Sequence, residues 1–263
     1  MKVIVIGTGI MATGIVAGLI AQRIPVVMLG RDAQRCAGAV QNATRIAAGL
    51  KGAKSGAALV DSGLIASWSA WEGVDIVIEN LAEDLALKQA LFRDLDARVP
   101  AHIPLGSNSS SYGISKIAAG LPTRSRMFGT HYFMPAEIVP LVEVVLGADS
   151  DPVLGQQVCE LFAAMKKKPV LVKKDIAGFL ANRMQHALIR EALALIDAGV
   201  ATWTWQCAAA SVFVFSRQAP SCRRRSPAGT RRCAPGPKST RRFPIRRPCP
   251  PASRTMSRRA RPA

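Results

Sequence analysis

His131 and Glu143 are the residues of this chain best suited to moving a proton. Neutral imidazole, with an unperturbed pKa near ~6.5, can take a hydroxyl proton at physiological pH. A carboxylate on its far nitrogen fixes the tautomer and favours the imidazolium as it forms. His131 follows an apolar run, Met127–Gly129, and Glu143 lies inside another, Leu141–Val145, where an isolated acid is costly unless paired. A hairpin-like return after His131 would bring the two side chains together. That couple suits oxidation of a secondary alcohol, in which a base takes the hydroxyl proton while hydride leaves to a nicotinamide. Alone, a His and an acid at this separation are more often structural. The elements around them decide.

The chain opens on such an element. Lys2–Ile6 is a short β-branched run of the kind buried in a parallel sheet, and it leads into Gly7-Thr8-Gly9-Ile10-Met11-Ala12-Thr13-Gly14. An apolar helix to about Arg23 and a second run, Pro25–Leu29, complete a βαβ unit. Gly7 permits the tight turn, Gly9 lets the backbone approach a pyrophosphate, and Ala12 still allows close helix–strand packing; Gly14 closes the motif. The helix N-terminus offers amide donors and a positive dipole end to the phosphates. At the end of the second strand, where an Asp or Glu normally binds the 2′-hydroxyl of NAD, the chain reads Leu29-Gly30-Arg31-Asp32. Asp32 could serve from a shifted position, or cap the next helix. Alternatively Gly30 with Arg31 could admit the 2′-phosphate of NADP. NAD is the preferred reading.

A helix over 33–49, a polar glycine-containing segment, a third apolar strand (Val74–Ile78), an amphipathic helix (Glu83–Arg98) and a fourth strand ending in Leu105–Ser111 follow. This alternation predicts a Rossmann-type doubly wound parallel sheet. Asp175–Gly199 reads as the first long helix of a second, helical unit, apolar at Phe179, Met184, Ala187, Leu188, Ala192, Leu195 and Ile196.

The motifs G-T-G-I-M-A-T-G, E-D-L-A-L-K (83–88), S-N-S-S-S (107–111), H-Y-F-M-P (131–135), P-L-V-E-V-V (140–145) and G-F-L-A-N-R (178–183) occur in order across residues 1–201. In this the chain resembles the L-3-hydroxyacyl-CoA dehydrogenase family. The resemblance implies reversible oxidation of a 3-hydroxyacyl-CoA with NAD, and a helical C-terminal domain that forms a homodimer and helps to close over substrate. It makes His131 and Glu143 the catalytic couple. Ser110 and Asn182 match positions that bond the substrate oxygen and hold the geometry, and Glu83 and Lys88 match positions lining the cofactor site. Read as residues alone, Ser110 could cap a helix, Glu83 and Lys88 could be an exposed helix pair, and Asn182 a polar residue within a helix. Met134 stands where the family usually has Asn beside the nicotinamide. Relatives acting on free short hydroxyacids (the lambda-crystallin and L-gulonate dehydrogenase branch) share some of these strings. For CoA phosphates the region after residue 49 is short, leaving Arg45, Lys51 and Lys54 as candidates.

Composition divides the chain. All 17 acids lie before residue 201, while residues 202–263 carry 15 of the 35 Lys+Arg and no acid. The formal net charge of +18 is therefore mostly a property of an Arg/Pro-rich tail without apolar periodicity, for which disorder is expected. A nucleic-acid-binding arm is one reading of it. The stronger one is that the tail is out of frame. Taking the last base of each codon with the first two of the next, Trp203 into Thr204 must give Asp and Trp205 into Gln206 must give Ala. The permitted string V-D-V-A-V-R-x-G-F-G-L-R is a sensible sequel to an amphipathic helix. The expected division is 1–174 cofactor domain, 175–201 first helix of the C-terminal domain, and 202–263 tail. Only Cys36 and Cys159 fall in the body, with no paired or metal-binding spacing, which suits a reduced cytoplasmic protein without metal. Residues 3–22 carry no charge, but four glycines interrupt them, against a membrane span.

Overall fold

In a computed structural model, residues 1–56 and 58–200 are described. The first apolar run is β1 (Val3–Ile6), followed by α1 (Ile10–Ala21), β2 (Val26–Gly30) and α2 (Ala33–Ala48). Then come β3 (Val60–Leu64), β4 (Ile76–Glu79), α3 (Leu85–Arg98), β5 (Leu105–Ser107) and the short α4 (Ile114–Ile117). The remainder is β6 (Met127–Tyr132), β7 (Leu141–Leu146), α5 (Pro152–Ala164), β8 (Lys168–Val172) and α6 (Ala181–Asp197). The strands form one eight-stranded sheet in the order β3-β2-β1-β4-β5-β6-β7-β8.

Both faces of this sheet are covered, which is why β1 is apolar at every position rather than alternating. Val3 and Val5 pack with α1, α2 and α5 residues such as Val16, Ala43 and Phe162. Ile4 and Ile6 pack on the other face with Phe92, Leu95 and Ile117 of α3 and α4. The uncharged span at the N-terminus thus divides into a strand, a glycine turn and a short helix. Among the described residues no helix is long and apolar enough to cross a membrane.

Every pairing is parallel except β6 with β7, which is antiparallel. That one reversal needs no crossover helix, so a short return suffices, and it sets His131 directly opposite Glu143.

Four details depart from the sequence reading. A strand, β3, lies between α2 and the Ile76–Glu79 strand, paired parallel with β2 at the sheet edge. Its residues, Val-Asp-Ser-Gly-Leu, are half-buried or exposed, so neither alternation nor an apolar run marks them. Next, α5 and β8 extend the sheet after Glu143. His131 lies within β6 rather than after it. Finally, α6 begins at Ala181, not Asp175, because Gly178 and Phe179 have positive φ (77° and 48°) and Asp175 instead accepts a bond from the Ser115 amide. The expectations for the 202–263 tail lie outside the described residues.

Candidate active site

The antiparallel rung brings His131 Nδ1 to 2.8 Å from Glu143 Oε2, with the two side chains 5% and 1% exposed. The other carboxylate oxygen, Oε1, accepts from the backbone amides of Leu180 and Ala181 at 3.1 and 2.8 Å. These amides open α6, so the buried charge is met by an imidazole on one side and a helix N-terminus on the other. The ring of His131 packs edge-on against Phe133 and Phe179, at centroid distances of 4.5 and 5.4 Å. Ring orientation is thereby fixed from three directions. With Nδ1–H donated to the carboxylate, Nε2 is the nitrogen that keeps a free lone pair.

A cavity of about 780 Å³ opens beside this couple, and His131, Ser110, Asn182, Asn108 and Met134 all line it. Three of the four expected catalytic residues therefore border one cavity, while Glu143 stands behind His131. The rest of the lining includes Met11, Phe133, Leu141, Met184 and Leu188, and no Lys or Arg is among the described lining residues.

Lys88 is buried, and Glu83 pairs with it beside the serine loop. Lys88 is 1% exposed, and its ammonium lies 2.7 Å from Glu79 and 3.4 Å from Glu83. It is the buried counter-charge beneath the serine loop. Glu83 accepts from Ser109 Oγ and from the Ser111 amide, the latter at 2.8 Å. Burial works against its charge, but the bonds from Ser109, Ser111 and Lys88 outweigh that and hold its carboxyl below the usual range. Together these contacts clamp the loop that carries Ser110 between two fixed neighbours.

Two further residues of this clamp are absent from the sequence reading. Glu79, fully buried at the end of β4, accepts from Ser107 Oγ at 2.6 Å. Asn108 bridges Asn80 (2.8 Å) and the backbone amide of Tyr132 (2.7 Å), tying the serine loop to the strand of His131. The available signal for Glu79 is an acid ending an otherwise apolar strand, the same signal that marks Glu143.

At the glycine turn, Gly7 has φ +121°, and a Cβ there would fall 2.6 Å from the Asn80 carbonyl oxygen, so no other residue fits. A Cβ on Gly9 would meet nothing within 4 Å, leaving its outer side open. Gly9 is the N-cap of α1 and provides no side-chain cap, so the first amides of that helix remain available to a ligand. This turn suits a pyrophosphate. Ala12 is buried in the packing of α1. Gly14 borders a cavity with Thr8 and Met11 and also makes room for Glu137 and Ala136, since a Cβ would lie 2.6 Å from Glu137 Oε2. Asp32 is the N-cap of α2, accepting from the Arg35 amide at 2.8 Å, and Arg31 is exposed beside it. Among the described residues, no group of three or more His, Cys, Asp or Glu could hold a metal ion.

A parallel sheet whose first five strands run 3-2-1-4-5, with an open glycine turn after the first, defines a dinucleotide-dependent oxidoreductase fold. The profile of the family described as "3-hydroxyacyl-CoA dehydrogenase, NAD binding domain" matches residues 2–176, and the chain belongs to that family, whose cofactor is NAD. L-carnitine dehydrogenase of Oceanobacillus iheyensis is 30% identical over 205 residues, covering 76% of this chain and 66% of the relative. A probable 3-hydroxybutyryl-CoA dehydrogenase of Bacillus subtilis is 38% identical over 130 residues, 49% of this chain and 45% of the relative. Among solved structures, 5-formyl-3-hydroxy-2-methylpyridine 4-carboxylic acid 5-dehydrogenase superposes with a TM-score of 0.71 at 27% identity, covering 82% of this chain and 71% of that one. The chain thus spans about half to two thirds of the length of these curated relatives.

Proposed function

We propose that this protein binds NAD at the Gly7–Gly9 turn and interconverts a short-chain 3-hydroxyacyl-CoA and its 3-oxoacyl-CoA. The observation that carries this reading is the buried His131–Glu143 couple, 2.8 Å apart, beside a cavity shared with Ser110 and Asn182. When bound, the cofactor supplies the hydride acceptor. Glu143 keeps Nδ1 protonated, so Nε2 takes the proton of the substrate hydroxyl, and the buried carboxylate then stabilises the imidazolium. The Ser110 hydroxyl and the Asn182 amide hydrogen-bond the substrate oxygen as it becomes a carbonyl. Met134 gives the nicotinamide end an apolar wall.

A free hydroxyacid is the alternative, suggested by the carnitine dehydrogenase relative. Its carboxylate would need a cation, and the described lining residues of the cavity include none. A thioester has no such requirement. Lysines do gather at another cavity, of about 400 Å³, where Lys51 is joined by Lys166 and Lys167, a setting that suits the CoA phosphates better than Arg45 or Lys54 alone.

We read residues 175–201 as the first helix of a helical dimerisation and substrate domain, and 202–263 as out of frame. In support, α6 has no buried residue. The full 263-residue chain then binds NAD but turns over poorly, while a chain with the frame restored near codon 202 dimerises and is active in the cytoplasm. Calorimetry with NAD and turnover of 3-hydroxybutyryl-CoA against free 3-hydroxybutyrate test this. NAD binding with at least about tenfold higher kcat/KM for the thioester supports it, a ratio worth ~1.4 kcal/mol. Preference for the free acid overturns the substrate assignment.

A further inference from the structure

We propose that the adenosine end of the cofactor cleft accepts a 2′-phosphate with Arg31 as its counter-charge, so that the protein takes NADP as well as NAD. This rests on reading the Gly7–Gly9 turn as the cofactor site. In this fold an acidic side chain at the end of the second strand bonds the ribose 2′-hydroxyl of NAD, and its charge repels a phosphate there. Here β2 ends at Gly30, which has no side chain to do either.

A side chain at that position would have to push two neighbours aside. A Cβ on Gly30 would lie 2.7 Å from Cys36 Sγ and 3.2 Å from Thr8 Cγ2. The contact with Thr8 also locates Gly30 beside the phosphate turn, as does the bond from the Gly7 amide to the Leu29 carbonyl at 2.8 Å. The next acid along the chain, Asp32, is committed to the α2 N-cap through the Arg35 amide. The neighbouring strand adds no charge, since Gly63 and Leu64 of β3 stand opposite Leu29 and Gly30. Cys36 is buried, its thiol donating to the Gly63 carbonyl, and burial together with Asp32 pushes its pKa up, which keeps it neutral. Among the described residues named at this corner, two exposed guanidinium groups, Arg31 and Arg35, stand against one capping carboxylate. A planar guanidinium at the strand exit can bind a phosphate through two parallel bonds.

Calorimetric titration of the full chain with NAD+, NADP+, 5′-AMP and adenosine 2′,5′-bisphosphate tests this without requiring turnover. The expected result is NADP+ binding within about tenfold of NAD+, with the bisphosphate tighter than 5′-AMP. Arg31→Ala should lower the NADP+ to NAD+ affinity ratio by about tenfold, and Arg31→Glu by more. Because Arg31 is exposed, both variants should keep the wild-type unfolding midpoint. NAD+ binding with NADP+ more than about a hundredfold weaker overturns the inference alone. So does an Arg31→Ala variant that weakens both dinucleotides equally. Binding of neither dinucleotide removes the cofactor site itself, and this inference with it.

Discussion

The two walls of the site are built in opposite ways. One is sheet: His131 and Glu143 face each other across an antiparallel rung, buried, with every oxygen of the carboxylate bonded. The other is α6, which supplies Asn182 and yet has no buried residue; Met184 and Leu188 line the cavity and remain 62% and 49% exposed. The His131–Glu143 couple is therefore held by the core of the sheet. The α6 wall has no such support among the described residues.

This contrast can be broken from the sheet side first. Glu143→Gln should leave the fold but lower kcat of the frame-restored enzyme by about 10³–10⁴-fold, because the amide no longer enforces the tautomer. The check is steady-state kinetics alongside an unchanged unfolding midpoint. Next in size, Arg126→Ala should cost about 3–5 kcal/mol in urea unfolding. Arg126 is buried, lies 2.9 Å from the Asp96 carboxylate and also donates to the carbonyls of Val99, Pro100, Ile103 and Asp96, so its loss strands a charge and four acceptors.

A smaller effect is expected with pH. Burial opposes the charges of Glu83 and Asp96, but their hydrogen bonds and cations win, so both fold with lowered pKa. The unfolded chain then binds more protons across that window. Stability is present above the unfolded carboxylate range, near pH ~4, and falls as pH drops through the folded values. Lys167 behaves differently: burial pushes its ammonium down to about 8 despite Glu137. Its penalty is full below that value, and stability should rise from about pH 8 towards ~10.4, where the unfolded lysine also loses its proton. Lys167→Met should flatten that rise. Smallest of all, Met184→Gln on α6 should change the stability of the 263-residue chain by no more than about 0.5 kcal/mol. In the frame-restored chain the same change should weaken dimerisation measurably, which would sharpen the difference between the walls.

How legible each wall was in the residues follows from the same physics. The central strands β1, β4, β6 and β7 are covered on both faces, so they read as apolar runs, and Glu143, the acid inside one of them, stands out, whereas Glu79 at the end of β4 was not singled out. The return that pairs His131 with Glu143 was readable because antiparallel strands need only a short connection. By contrast, β3 sits at an edge, half in water, where Asp61 and Ser62 cost nothing and no pattern is enforced. The burial of Lys88 was not readable, since an exposed helix pair and a buried counter-charge share one spacing; only the position of Glu79 separates them. The start of α6 was set by backbone, with positive φ at Gly178 and Phe179, and not by apolar periodicity.

The central claim is that Glu143 holds His131 with a proton on Nδ1 and a free lone pair on Nε2. The most direct measurement is ¹⁵N-detected NMR of the histidine side chains at about pH 8, in the wild-type chain and in Glu143→Gln. The account predicts an Nδ1–H tautomer for His131, shifted downfield by the carboxylate and lost or mixed in the variant. An Nε2–H tautomer in the wild-type protein, or a spectrum of His131 unchanged by Glu143→Gln, would contradict it.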